Sequence, residues 1–166
     1  MKNLLILGAG QYGYVAKEIA ESMGCFEKID FLDDRAEFAV GKVQDYQRFA
    51  GTYGCAVIAI GNPQIRLPLF EKIQSNFEMV SLVSPLSYVS SGARIGRGCV
   101  IEPMAVVHPN ALVSDCCIIS AGAVVNHNSV LQEGCHVDCN AAVAANAVVP
   151  SGVKIPSCTV YQKKDM

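Results

Sequence analysis

Ile119-Ser120-Ala121-Gly122-Ala123-Val124, Val125-Asn126-His127-Asn128-Ser129-Val130 and Leu131-Gln132-Glu133-Gly134-Cys135-His136 are three consecutive six-residue units. Each opens on an aliphatic residue, carries Gly or Asn fourth and a small residue fifth. Followed outward in both directions, the pattern runs without a slip from Val83 to Val160, with leads at Val83, Val89, Ile95, Ile101, Val107, Val113, Ile119, Val125, Leu131, Val137, Val143, Val149 and Ile155. Gly or Asn fills the fourth place in nine of these thirteen units, and both residues tolerate positive φ. A period of six matches neither the 3.6 of a helix nor the 2 of a strand. It fits a short flat side followed by a corner. Three such sides close a triangular coil of eighteen residues, whose stacked copies pair as parallel strands roughly 4.8 Å apart. The leads then fill the interior, and the small residues leave room at the corners.

The same register accounts for several of the eight cysteines. Cys99, Cys117 and Cys135 are eighteen apart and share the fifth place, so they are expected to stack inside successive coils as small hydrophobes. Cys116, Cys139 and Cys158 fall at corner or outward places, where a thiol can be reactive. No CxxC pair occurs, and the cysteine density is below that of a disulfide scaffold.

The remaining eighty or so residues alternate strand and helix. Lys2 to Leu7 is an apolar run ending in Gly8-Ala9-Gly10-Gln11-Tyr12-Gly13, after which Val15, Ile19 and Met23 recur at helical spacing until Gly24. Further strands are expected over Lys28–Leu32, ending at Asp33-Asp34, over Ala56–Ile60, ending at Gly61, and over Met79–Val83. Asn62-Pro63 has the form of a helix cap followed by Pro at the first helical position. This predicts an α/β Rossmann-like half-domain over residues 1–82, an all-β parallel β-helix over 83–160 and a polar tail over 161–166. Three loops, at Gly8–Gly13, Asp33-Asp34 and Gly61-Asn62, follow the carboxyl ends of parallel strands, the edge where open α/β sheets bind ligands. The glycines can bring backbone N–H groups and a helix N-terminus to a phosphate, while an acid about 20 residues on can bond a ribose. Alternatively they serve only a tight turn. A dehydrogenase carries the same fingerprint, but so short a segment lacks the second mononucleotide half.

With a formal net charge of -2, the chain has no electrostatic call for nucleic acid, and no basic run suggests a membrane surface. The first apolar run is too short for a signal peptide and has no cleavage site, so a cytoplasmic protein is expected.

The β-helix resembles that of the hexapeptide-repeat, left-handed β-helix acyltransferases. With Gly8–Gly13, Phe31-Leu32-Asp33-Asp34, Ala59-Ile60-Gly61-Asn62, Ile65-Arg66 and Val125-Asn126-His127-Asn128 in this order, the chain is similar to the sialic-acid O-acetyltransferase and UDP-4-amino-sugar N-acetyltransferase family. The resemblance implies a left-handed coil and a trimer. It also implies acetyl-CoA as co-substrate between neighbouring β-helices, and a nucleotide-sugar, UDP-linked, in the N-terminal domain. Gly8, Gly10, Gln11, Tyr12, Gly13, Asp33, Asp34, Gly61 and Asn62 would hold the nucleotide-sugar.

His127 matches the family's proposed general base; in the third place of its unit it is expected to face outward and to take a proton from a sugar amine or hydroxyl. An exposed, solvated histidine is the bland alternative. His136, in an outward sixth place, matches a second family histidine and is expected to contact acetyl-CoA or the reacting centre; a rim histidine is the alternative. His108 matches no family role. No metal is expected, because the three histidines lack the close pair of a zinc site.

Three features depart from the family. Asn126 and Asn128 flank His127 where a carboxylate is usual, leaving Asp138 or Glu133 as candidate substitutes, and Gln11-Tyr12 stands in place of Gly-His. The repeats also end at Val160, which shortens the coenzyme groove. These features motivate a second reading, a non-catalytic nucleotide-sugar-binding or assembly subunit.

Overall fold

In a computed structural model, residues 2–163 are described, so Met1 and positions 164–166 of the expected tail lie outside the described residues. The N-terminal sheet contains β1 (Lys2–Leu7), β2 (Phe26–Leu32), β3 (Cys55–Ile58) and β4 (Glu78–Met79), all parallel in the order β2-β1-β3-β4. Helices α1 (Gln11–Met23) and α2 (Pro63–Ile73) and a 3-10 turn over Val43–Phe49 make the crossovers. Gly24 ends α1 in the left-handed conformation at φ 63°, and Asn62 caps α2 by accepting the Gln64 N–H at 3.0 Å. The last four residues of β1 are fully buried, as a central parallel strand covered on both faces requires.

The single strand expected over Met79–Val83 is two strands. The chain leaves the N-terminal sheet after Met79, the last residue of β4 to pair with β3, and joins the prism at Leu82, which pairs with Val100. The prism is built from fourteen two-residue strands: β5 Leu82–Val83, β6 Tyr88–Val89, β7 Arg94–Ile95, β8 Val100–Ile101, β9 Val106–Val107, β10 Leu112–Val113, β11 Ile118–Ile119, β12 Val124–Val125, β13 Val130–Leu131, β14 His136–Val137, β15 Ala142–Val143, β16 Val148–Val149, β17 Lys154–Ile155 and β18 Val160–Tyr161. They pair eighteen residues apart into three parallel sheets. The first face holds β5, β8, β11, β14 and β17; the second, β6, β9, β12, β15 and β18; the third, β7, β10, β13 and β16.

The leads from Ile101 to Ile155 are buried inside the prism with Cys99, Cys117 and Cys135, all fully enclosed as the register predicts. Of the fourth places, only Leu86 and Gly92 avoid the left-handed region; the other eleven lie at φ 56–70°. Met104, Cys116 and Cys158 are among them, so the corner imposes its geometry on residues that ordinarily avoid it, at a cost of about 1–2 kcal/mol each.

The N-terminal domain lies on the first face. The outward residues of that face, Leu82, Val100 and Ile118, are fully buried in one cluster with Ala16, Ile19, Ala20 and Val57. Removing three such side chains from water stabilises the docking by about 1.5–3 kcal/mol each. Cys116 is a correction to the outward placing of corner thiols. It is fully buried with Phe70 and Met79 under α2, and burial pushes its pKa up to about 12. Cys139 and Cys158 are exposed.

Candidate functional site

A cavity of about 640 Å³ opens at the carboxyl edge of the N-terminal sheet, lined by Gly8–Tyr12, Asp33–Ala36, Val43 and Ala59–Gly61. The loops after β1, β2 and β3 thus converge where the sequence placed them. Two of the glycines are demanded by packing. Gly8 has φ 105°, and a Cβ on Gly13 would lie 2.3 Å from the Gly8 carbonyl oxygen, so α1 starts in direct contact with the turn. Gly10 differs, since its φ of -72° suits any residue and a Cβ there would meet nothing within 4 Å. It caps α1 without a side chain, and no acid stands in the first turn. The first N–H groups of α1 therefore face the cavity edge unopposed, the arrangement that receives a phosphate.

Asp33 keeps this geometry. One carboxylate oxygen accepts the Ala9 N–H at 2.8 Å, and the other accepts those of Arg35 and Ala36 at 2.8 and 2.9 Å. The Ala9 bond, with the Arg35 and Ala36 bonds behind it, holds the carboxyl below the usual range against the opposing effect of burial. Both oxygens are committed to shaping the cavity. Asp34 ties the far wall by accepting the Val43 N–H at 3.1 Å.

At Gly61 the cavity meets a second one, of about 620 Å³, lined by Gly61, Asn62, Pro63, Gln64, Gly152 and Lys154. Here the N-terminal domain touches the β-helix. His136 points out of the prism, as a sixth-place residue should, but it is only 4 % exposed because the Gly61 turn covers it. It is therefore not a rim histidine. Its Nδ1–H donates to the Gly61 carbonyl at 3.0 Å, which leaves Nε2 to accept from the Ser120 hydroxyl at 3.1 Å. Burial lowers its pKa to about 4, so the ring is neutral.

Asp138 lies 4.0 Å from His136 Nε2 and 3.0 Å from Lys154. Burial acts to raise its pKa, yet Lys154 and the Cys139 N–H hold it low. Its charge is thus spent beside His136. The Tyr12 ring lies 6.4 Å from that of His136, with its hydroxyl buried and without a partner of normal hydrogen-bond geometry. Burial first, then the Glu102 charge, pushes this phenol well above its ordinary pKa.

His127 sits elsewhere. It is exposed at the corner between β12 and β13, where the second face turns into the third. That corner is opposite the first face, the one under the N-terminal domain. Asn128 Nδ2–H donates to His127 Nδ1 at 3.1 Å, and Asn126 Oδ1 accepts the His127 backbone N–H at 2.9 Å. With Nδ1 accepting, the ring proton is on Nε2. With the Asn128 amide turned over, Oδ1 accepts from Nδ1–H and Nε2 carries the lone pair a base needs. The amide thus does for ring orientation what a carboxylate would do, without the charge.

Arg66 is the residue sequence reasoning passed over. It was one letter of a motif, yet it is fully buried with all five N–H donors bonded to carbonyls on both domains. Its place three residues past the α2 N-terminus gave no warning, since long basic side chains there are ordinarily solvated.

Residues 3–73 match the PglD N-terminal domain family. No curated protein matches the sequence at significance. The acetyltransferase domain of PglB from Neisseria gonorrhoeae FA1090 is 27 % identical, with a TM-score of 0.93 over 98 % of this chain and 83 % of its own. Its complex with acetyl coenzyme A superposes with a TM-score of 0.92 at 27 % identity, covering 98 % of this chain and 82 % of that one. PerB from Caulobacter crescentus, in complex with CoA and GDP-perosamine, is 20 % identical with a TM-score of 0.70, over 98 % of this chain and 92 % of its own, and shares the fold. No helix among the described residues is long and apolar enough to cross a membrane. The N-terminal part of the chain thus matches the PglD N-terminal domain family, and the whole chain has the architecture of a left-handed β-helix acetyltransferase domain such as that of PglB.

Proposed function

We propose that this protein transfers acetyl from acetyl-CoA to an amino group, or to a hydroxyl, of a nucleotide-activated sugar, with His127 as general base. The observation that carries this reading is the pairing, in one chain, of an uncapped α1 N-terminus over a three-loop cavity with a β-helix bearing His127. Likeness to the acetyltransferase domain of PglB, which has been captured with acetyl coenzyme A, supports it.

The nucleotide would lie across the sheet edge. Asp34 and the β2 loop that Asp33 holds in shape take the nucleoside, the Gly8–Gly13 turn and α1 the diphosphate, and Gly61-Asn62 the sugar end. His136 lies under this end; it keeps the matching family histidine's place near the reacting centre and supports the turn as a neutral donor. The acceptor amine attacks the thioester carbonyl while His127 Nε2 removes its proton, and the thiolate of CoA leaves. A positioned base of this kind contributes about 10²–10⁴-fold.

Within one chain the cavity and His127 lie on opposite sides of the prism, so catalysis requires a second copy to bring its His127 corner to the cavity. The surfaces that would meet are apolar. Val106, Val124 and Ala142 on the second face and Val130 and Val148 on the third are only partly buried, Leu112 on the third is exposed, and all flank that corner. A homotrimer, with acetyl-CoA between neighbouring prisms, satisfies both demands. All eight cysteines are free thiols, which suits a cytoplasmic enzyme whose substrates are made there.

Mixing the protein with acetyl-CoA and a UDP-4-amino sugar should release free CoA, and His127→Ala should reduce the rate at least a hundredfold, about the lower end of a positioned base's contribution. Undiminished turnover in that variant would overturn the assignment. Equilibrium sedimentation should give three times the 17.7 kDa chain mass.

A further inference from the structure

The charge at Arg66 has no acidic partner. The side chain is fully buried, and none of the ion pairs among the described residues includes it. Its five N–H donors all go to backbone oxygens. Nε–H bonds the Cys116 carbonyl at 3.0 Å, Nη1 those of Ile60 and Gly61 at 2.8 and 3.0 Å, and Nη2 those of Gly134 and Cys135 at 2.9 and 3.2 Å. Carbonyl dipoles satisfy the hydrogen bonds but not the net charge, and a buried cation is ordinarily paired. Two of these oxygens belong to the turn at the end of β3, where the two cavities meet, and three to the corner leading into the first face. The guanidinium therefore underlies the edge along which a nucleotide-linked sugar would run.

We infer that Arg66 is a positioning residue for the substrate: it rivets the Ile60–Gly61 turn to the β-helix, and its unbalanced charge, acting across that turn, adds to the attraction that the α1 N-terminus exerts on the substrate's diphosphate. This rests on the nucleotide-sugar reading above. The Arg66 charge is felt on that side, where it acts to lower the pKa of both Tyr12 and His136. The neutrality of His136 belongs to the same arrangement. A second cation against Gly61 would be repelled, and the ring instead adds another bond to the turn. Of the groups facing His136, Arg66 and Lys154 carry positive charge and Asp138 carries the opposing one. Lysine could not replace the arginine fully. Three donors on a flexible stem cannot reach five carbonyls on two domains.

The reading separates charge from architecture, and so does its test. Calorimetric affinities for UDP and for uridine would be measured on the wild type, Arg66→Gln and Arg66→Lys, each checked for folding by thermal unfolding. The wild type should prefer UDP. Arg66→Gln should shrink that preference by roughly tenfold or more, the scale of an attraction between unit charges on the order of 10 Å apart at an effective dielectric of about 20, with uridine affinity little changed. In Arg66→Lys the preference should persist at neutral pH and fall as the pH rises and the buried ammonium loses its proton, while the wild type shows no such decline. This second variant decides the matter if Arg66→Gln does not fold. Equal losses of UDP and uridine affinity in Arg66→Gln, or an Arg66→Lys preference that follows the wild type across pH, would overturn the inference. A wild type that binds neither UDP nor GDP would instead overturn the nucleotide-sugar reading on which it rests.

Discussion

Gly10 and Gly13 belong to one short motif, yet the structure assigns them opposite consequences on substitution by alanine. At Gly13 the new Cβ would lie 2.3 Å from the Gly8 carbonyl oxygen, well inside the 3.0 Å that real Cβ atoms respect, and the obstacle is backbone. Overpacking of this kind costs about 1–3 kcal/mol and more when the neighbour cannot yield. The gain in helix propensity returns only about 0.5–1 kcal/mol. Gly13→Ala should therefore lose about 2 kcal/mol, a fall of roughly 5 °C in melting temperature for a chain of this size. At Gly10 the new Cβ meets nothing. The loss of a good cap, about 0.5–1 kcal/mol, is offset by a comparable reduction in unfolded-chain entropy. Stability should stay within about 0.5 kcal/mol of the wild type, the range of substitutions that disturb no feature of the fold.

The effect of Gly10→Ala should appear in the ligand. A methyl group at the mouth of the α1 N-terminus stands in the path of a phosphate, so UDP affinity should drop about tenfold, or 1.4 kcal/mol. Thermal unfolding and isothermal calorimetry on the two variants give both readouts. A Gly10→Ala protein that melts and binds UDP as the wild type does would refute the placing of the phosphate at α1. A stable Gly13→Ala protein would refute the packing argument.

Further outcomes follow from the same geometry. His136 is neutral in the fold, with a pKa of about 4, whereas an unfolded histidine takes a proton near pH 6.5. The unfolded chain thus binds more protons between those values, and stability should fall by about 2–3 kcal/mol as pH drops from about 6.5 to about 4. Urea midpoints across that window should decline in the wild type and stay flatter in His136→Gln. Asp33 acts at lower pH, since its depressed pKa contributes stability that is present above about 3.9 and lost only as the pH falls through the folded value. Asn128→Asp should place a carboxylate beside the His127 ring, raise kcat roughly tenfold and move the acid limb of the pH–rate profile to higher pH, because the charge stabilises the imidazolium. Met104 is 74 % exposed and held at φ 63°, so Met104→Gly should stabilise by about 0.5–1 kcal/mol, seen as a rise in melting temperature of roughly 1–3 °C.

The prism was legible because its rule is local: each lead, small residue and corner is determined within six residues, and the buried column from Ile101 to Ile155 follows it. The N-terminal loops were legible for a similar reason, as a strand, a glycine turn and a helix in succession. What escaped depends on residues far apart in sequence. Cys116 reads as a corner thiol until α2 is seen to lie over it. Arg66 reads as an ordinary helix residue until carbonyls 50 to 69 positions away close around it. One signal for the docking was present. Along the outward column of the first face, Leu82, Val100 and Ile118 are apolar, His136 is polar but still covered by the Gly61 turn, and the exposed Lys154 marks where cover by the N-terminal domain ends. His127 was correctly read as outward, but the corner it occupies, and its remoteness from the cavity, needed the order of the three faces.

Strands pairing at a constant interval of eighteen also constrain how this chain can change in length. Loss or duplication of a full turn between Ile95 and Val125 would shift His127 along the axis and leave every later residue on its own side. Loss of a single unit of six would preserve the hydrophobic interior equally well, since one lead replaces another. It would, however, rotate everything downstream by a third of a revolution, moving His127 to a different edge of the prism. Two deletions indistinguishable to the interior would thus differ in which faces flank His127, and length variants that keep its corner should come in multiples of eighteen.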